Sequence, residues 1–261
     1  MQRRNILYLS IILTIAILAG YVFVYQNSPF SDEWNNFILD AAAPFSAALA
    51  AIAVNAVLLH YNKDDKPYSV WLYFTIGLWV WVLAETIWAY LYFTSGEVPE
   101  IGLADVLWFA GYGLFSVALH SQYQLVYQRK ISWWVVAGAW AGIVLLTPLV
   151  LVLVQSEFTW PNFVDYLYAV TDFALCIASI RLFMTFGGGR LSRPWLGLFV
   201  MGISDATWAW VNATGQYQAS SDAGTWLSVF TDTTYVAAYL ILAIGFLMQY
   251  LLLRFGPEEL I

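Results

Sequence analysis

The sequence predicts an all-α polytopic membrane protein with eight transmembrane helices and both termini in the cytoplasm. Three observations predict it. First, 61% of the 261 residues are hydrophobic and only 10% are charged, whereas a soluble domain carries about a quarter charged residues. Mean hydropathy is +0.69. One spanning helix takes about 20 apolar residues, so roughly 159 of them (61% of 261) furnish about eight. Second, the apolar residues fall into eight long runs with no strand-like alternation. Third, the basic residues segregate between alternate connections, as described below. These features exclude an ordinary soluble enzyme, a disordered chain and a disulfide scaffold. The net charge of −7 argues against a nucleic-acid partner. The single cysteine, Cys176, leaves no intrachain disulfide and no cysteine metal cluster.

The first span covers 5–25 and follows Arg3 and Arg4. It is longer than the apolar core of a signal peptide and no Ala-x-Ala site follows. It is therefore expected to stay as a signal-anchor helix within residues 1–30. Spans 38–61, 69–94 and 103–126 form a first three-helix unit, 31–128. Span 132–154 is a connector within 129–158. Spans 163–186, 194–214 and 226–253 form a second unit, 159–254. Residues 255–261 form a short tail, so a stand-alone module without an attached output domain is expected. Pro44 and Pro148 fall inside spans, where helix bundles tolerate kinks.

Orientation follows from the positive-inside rule. With the N-terminus inside, the cytoplasmic segments hold Arg3, Arg4, Lys63, Lys66, Arg129, Lys130, Arg190, Arg193 and Arg254. Arg181 lies near the cytoplasmic end of the sixth span. That accounts for all 10 basic residues. The outer connections carry Asp32, Glu33, Glu97, Glu100, Glu157 and Asp222 instead.

The two three-helix units repeat one another. Trp34-Asn35-Asn36-Phe37 followed by Asp40 matches Trp160-Pro161-Asn162-Phe163 followed by Asp165. Gly77-Leu78, Glu85 and Trp88-Ala89-Tyr90 match Gly197-Leu198, Asp205 and Trp208-Ala209-Trp210. Asp105, Trp108 and Tyr112 match Asp232, Tyr235 and Tyr239. The offsets are 126, 120 and 127, in the same order. Four spans separate matching helices, so these are parallel repeats about an axis along the membrane normal. The plan is 1+3+1+3.

The 3+1+3 core is similar in plan to the sugar-transporting SWEET family and suggestive of microbial rhodopsins. No proline here precedes a glutamine, the pair that SWEET proteins carry. The lysines, Lys63, Lys66 and Lys130, all lie outside the spans, so a covalent Schiff-base retinal is excluded. A further resemblance rests on Ala84-Glu85-Thr86-Ile87-Trp88-Ala89-Tyr90, then Gly96 and Pro99, then Leu103-Ala104-Asp105-Val106-Leu107-Trp108 and Gly111-Tyr112. This stretch resembles the polytopic sensor region that precedes cyclic-dinucleotide (GGDEF) output domains in bacterial signalling proteins. There, a similar Glu–Trp–Ala–Tyr helix end is followed by a Pro-containing loop and an Ala-Asp segment. The resemblance covers about 38–253 and implies a sensor in the cell membrane, with no particular ligand.

Ionisable side chains inside spans are by default functional candidates. Five stand out: Glu85, Asp105, Asp172, Asp205 and Asp232. Helical spacing puts Trp81, Glu85 and Trp88 on one face, and Asp205 with Trp208 on another. Asp105, Trp108 and Tyr112 form a third stripe; Asp232, Tyr235 and Tyr239 form its repeat. Asp172 has no counterpart in the first unit, where Phe45 or Ala47 falls. The expected site is a central chamber in the outer half, ringed by carboxylates and walled by aromatic rings. It would suit an organic cation, a metal ion or a proton. The competing expectation is structural: each carboxyl accepts hydrogen bonds from a neighbouring Tyr, Trp or Ser and locks the bundle. Asp105 and Asp232 could equally cap their helices.

Trp71, Tyr73, Trp133, Trp134, Trp160 and Trp195 are expected in interfacial belts. His60 and His120 end two spans on the cytoplasmic side and are expected to snorkel, with haem ligation as the alternative. The function expected is a sensor or receptor-like module. It would bind a small, cationic ligand, lie among membrane lipids, and signal through basic cytoplasmic loops to a cytoplasmic or membrane partner. The alternative is a cation or proton transporter. A continuous polar path past Glu85 would favour transport, and a blind pocket would favour sensing. An intramembrane aspartyl enzyme is the least favoured class, since its Tyr-Asp and Gly-x-Gly-Asp motifs are absent.

Overall fold

The computed structural model describes residues 2–128, 132–154, 158–187, 190–213, 216 and 225–256. Eight α-helices account for nearly all of them: α1 Gln2–Asn27, α2 Asp32–Leu58, α3 Tyr68–Ser95, α4 Leu103–Tyr127, α5 Trp133–Val154, α6 Trp160–Thr185, α7 Arg193–Ala213 and α8 Trp226–Phe255. A short 3₁₀ turn, Arg190–Ser192, leads into α7. Among the described residues there is no strand. The predicted charges at Arg129, Lys130, Glu157 and Asp222 lie outside the described residues.

Local chemistry explains the helix ends. Thr159 and Thr225 cap α6 and α8, their hydroxyls accepting from the backbone N–H of Asn162 and Ser228. Gly96 ends α3 at φ +73°, a left-handed cap that a side chain disfavours. Asp105 accepts from the backbone N–H of Gly102 at 2.7 Å, tying down the start of α4.

Six helices (α1, α2, α3, α4, α6 and α8) are long and apolar enough to cross a membrane. Helix α5 adds a shorter apolar stretch, Trp133–Pro148. Helix α7 is 21 residues long but carries Arg193, Ser204, Asp205, Thr207 and Asn212, which lower its hydropathy.

Six helices close into a ring, α2–α3–α4–α6–α7–α8, with α8 packing back on α2. Helix α1 lies outside against α8 and α2, and α5 lies outside against α6. Small residues set two of the close approaches. A Cβ on Gly77 of α3 would stand 2.6 Å from the Phe115 ring of α4, and one on Gly197 of α7 would stand 2.6 Å from Leu242 of α8.

The ring interior is a column of aromatic rings. Trp71 stacks with Trp195 at 6.5 Å, and Phe74 packs on Trp195, Phe246 and Phe115 at 5.9, 5.2 and 5.1 Å. Trp81 then packs on Phe115 at 4.8 Å. Trp71 and Trp195 are only 6% and 1% exposed, so they belong to the core and not to an interfacial belt. Their rings fill the cross-helix space that α3 and α7 leave at that end. Trp133, Trp134 and Trp160 are exposed, as belt residues would be.

Candidate functional site

Above the aromatic column, three acid side chains from three helices meet. Glu85 lies ten residues before the end of α3, about 15 Å along its axis at 1.5 Å per residue. It is 3% exposed, and its Oε1 accepts three hydrogen bonds. The donors are Trp108 Nε1 of α4 at 3.1 Å, Tyr239 OH of α8 at 2.8 Å, and Tyr235 OH of α8. Trp81, packed beneath, donates from Nε1 to the Trp108 carbonyl at 2.9 Å and so fixes the α4 backbone beside Glu85. Gly111 makes room for it, since a Cβ there would collide with the Trp81 indole.

Asp172 of α6 is 1% exposed and accepts from Tyr112 OH of α4. The same hydroxyl lies 3.4 Å from Asp205 Oδ2 of α7. Tyr112 thus bridges Asp172 and Asp205. Asp205 in turn lies within electrostatic reach of Glu85. The position 126 residues before Asp172 is Ser46, a buried serine bonded to its own helix at Ala42 O, so no acid stands there.

The remaining predicted residues divide. Asp105 stands at the rim, accepting from the Gly102 N–H and from Tyr168 OH of α6 at 2.9 Å. Tyr168 was absent from the predicted set, although it precedes Asp172 by one helical turn. It also stacks on Phe109 at 4.4 Å. Asp232 pairs with Tyr25 of α1 at 2.8 Å, on the outer side of the ring where α1 docks. It does not cap α8, which Thr225 caps. Trp88 stacks on Tyr92 of its own helix at 5.3 Å. Trp208 is 39% exposed. His60 packs on Tyr250 of α8 and His120 on Trp133 of α5, so the two histidines serve different helix contacts.

The acid groups thus meet in an interlocked cluster in which Glu85 Oε1, Asp172 Oδ1 and Asp205 Oδ2 each face an aromatic donor. A cavity of about 500 Å³ opens elsewhere, between α4 and α5. Among the described residues no group of three His, Cys, Asp or Glu has the arrangement of a metal site.

No known family model matches the chain, no curated protein matches it, and no solved structure matches it.

Proposed function

We propose that the chain is an eight-pass membrane sensor module, built by duplication of a three-helix unit, whose ligand-responsive site is the Glu85–Asp172–Asp205 cluster. One observation carries this. Tyr239 of the second unit donates to Glu85 of the first, and Tyr112 of the first reaches Asp205 of the second. Glu85 with Asp205, and Tyr112 with Tyr239, are the pairs that repeat at offsets of 120 and 127. A pseudo-twofold relation would produce such an exchange. The contacts Gly77–Phe115 and Gly197–Leu242 repeat at the same two offsets, which supports the duplication independently.

The exchange also supplies a signalling logic. A small cation that takes Glu85 Oε1 or Asp205 Oδ2 displaces a tyrosine belonging to the other unit. A local binding event then becomes a change in how the two units hold each other. A ligand shifts such an equilibrium only by its differential affinity for the two arrangements. The basic residues Arg4, Lys63, Lys66 and Arg254 lie at the opposite helix ends from the cluster, which favours a partner docking there with both termini cytoplasmic.

Transport is the less favoured reading. An ion passing the cluster would meet Trp81, Phe115, Phe74 and Trp195, all nearly or fully buried, and burying a charge against such rings is costly. The test is thermal stability of the purified protein against a panel of small organic cations, with Glu85→Gln and Asp205→Asn alongside. At least one cation should raise the midpoint of the wild type and neither variant's. A panel that shifts nothing in the wild type rejects the proposal.

A further inference from the structure

We propose that the space between α4 and α5 is a binding slot for one acyl chain of a membrane phospholipid. Helix α5 packs along α6 and stands off α4, which opens the cavity of about 500 Å³ between them. Its walls include Phe109, Gly113 and Ser116 from α4 and Trp133, Ala137 and Trp140 from α5. The floor is unfilled by design of the sequence: a Cβ on Gly113 would meet no atom within 4 Å. Ser116 is the one hydroxyl among these residues, and it is already bonded to the Tyr112 carbonyl at 2.9 Å. The other side-chain polar groups on its walls are the indole N–H of Trp133 and Trp140, so the slot offers a ligand mainly dispersion contact, beside a helix long and apolar enough to cross a membrane.

Its direction and ends fit an amphiphile. Phe109 to Val117 is eight helical steps along α4, a run of about 12 Å at 1.5 Å per residue. At the α5 N-terminus the slot meets a polar group. There the His120 ring lies 4.6 Å from the Trp133 ring and His120 bonds to Gln124 at 2.8 Å. An acyl tail lying between the aromatic walls places its headgroup at that polar end. A water-soluble ligand would lose most of its hydrogen bonds here and find only two indole N–H donors in return. The slot is separate from the acid cluster, and Phe109 borders both, lining the slot and stacking on Tyr168. The proposal stands whether or not the cluster binds a cation.

The test reconstitutes the protein in vesicles of phosphatidylcholine with brominated acyl chains, returns it to bromine-free detergent, and counts retained lipid by native mass spectrometry. The wild type should keep one phospholipid through washing. Gly113→Phe and Ala137→Phe, which fill the slot from either wall, should lose it. Gly142→Phe makes the same change where a Cβ also meets nothing within 4 Å but outside the slot, and should keep it. Tryptophan emission of the unmodified protein should stay partly quenched after transfer, because the tail rests on Trp133 and Trp140. A wild type that strips bare with full recovery of emission overturns the proposal. So does retention in a folded slot-filling variant equal to that of the wild type. Retention of a lipophile other than a phospholipid overturns the assigned occupant.

Discussion

Replacing Glu85 by leucine tests the acid cluster most directly. The substitution removes the acceptor on which Trp108, Tyr235 and Tyr239 converge. The two tyrosine hydroxyls already lie 3.2 Å apart, so one can satisfy the other. That leaves one phenol and the Trp108 indole without a partner. An orphaned buried donor costs about 1–3 kcal/mol, so Glu85→Leu should destabilise by about 2–6 kcal/mol. The lower half of that range is favoured, because Tyr235 and Trp108 are partly exposed and can turn to water, whereas Tyr239 is fully buried. Glu85→Gln keeps a carbonyl oxygen at the same place and should stay within about 1 kcal/mol of the wild type. The assay is denaturant or SDS titration in micelles, followed by circular dichroism. Glu85→Leu combined with Tyr235→Phe and Tyr239→Phe should recover part of the loss, because it removes both phenol donors along with their acceptor and leaves only the Trp108 indole unpartnered. A leucine variant as stable as the glutamine variant would refute the reasoning: the three donors would then have other partners.

Three further outcomes follow from named contacts. Gly77→Ala and Gly197→Ala should each cost about 1–3 kcal/mol by overpacking against Phe115 and Leu242, whereas Gly113→Ala, with open space, should gain roughly 0.5–1 kcal/mol from the lost backbone freedom of glycine; equal effects at all three in a thermal melt would contradict the packing. Tyr112→Phe leaves Asp172 without its α4 donor and should cost about 1–3 kcal/mol, while Tyr127→Phe, at an exposed edge, should stay within about 0.5 kcal/mol. Cys176 is buried, with its thiol donating to the Phe199 carbonyl at 3.5 Å, so a maleimide should label it only after unfolding; rapid labelling of the native protein would show that α6 and α7 part readily.

Much of this architecture was legible in the sequence, because hydropathy marks where lipid meets the chain. Span 103–126 became Leu103–Tyr127 and span 132–154 became Trp133–Val154. Helix α2 begins at Asp32, six residues before its apolar run. Acidic residues suit the first turn of a helix, and hydropathy registers lipid contact rather than helix formation. The convergence of Glu85 with Tyr235 and Tyr239 was legible too, through the repeat. Tyr168 was not, because the proposed repeat puts Ala42 at its counterpart; the one-turn rule that paired Trp81 with Glu85 would have found it from Asp172. Asp232 departs from Asp105, its counterpart in the proposed repeat, because α1, which lies outside the two proposed units, supplies Tyr25 on that side. Trp71 and Trp195 could not be sorted between belt and core by residue type, since a tryptophan near a helix end fits either place.

The ring closes differently at the two seams where the proposed units meet. Along α2–α8 the helices are in close contact, and α2 brings Ala47, Ala50, Ala51 and Val54 into the fully buried interior. Along α4–α6 the helices stand further apart and are bridged by hydroxyls. Tyr168 reaches Asp105, Tyr112 reaches Asp172, Tyr123 reaches the Ala178 carbonyl and Tyr127 reaches Thr185. The first three contribute about 0.5–1.5 kcal/mol net each, or about 1.5–4.5 kcal/mol together, and the exposed Tyr127–Thr185 bond adds little. A millimolar to micromolar ligand binds with about 4–8 kcal/mol, enough to offset that sum. Separating the close-packed α2–α8 faces would instead expose a buried interior at about 25 cal/mol per Å² of apolar surface. In the proposed sensor, a cation that displaces Tyr112 would therefore act on the seam with the smaller resistance. The second unit would swing about α2–α8 as its hinge side.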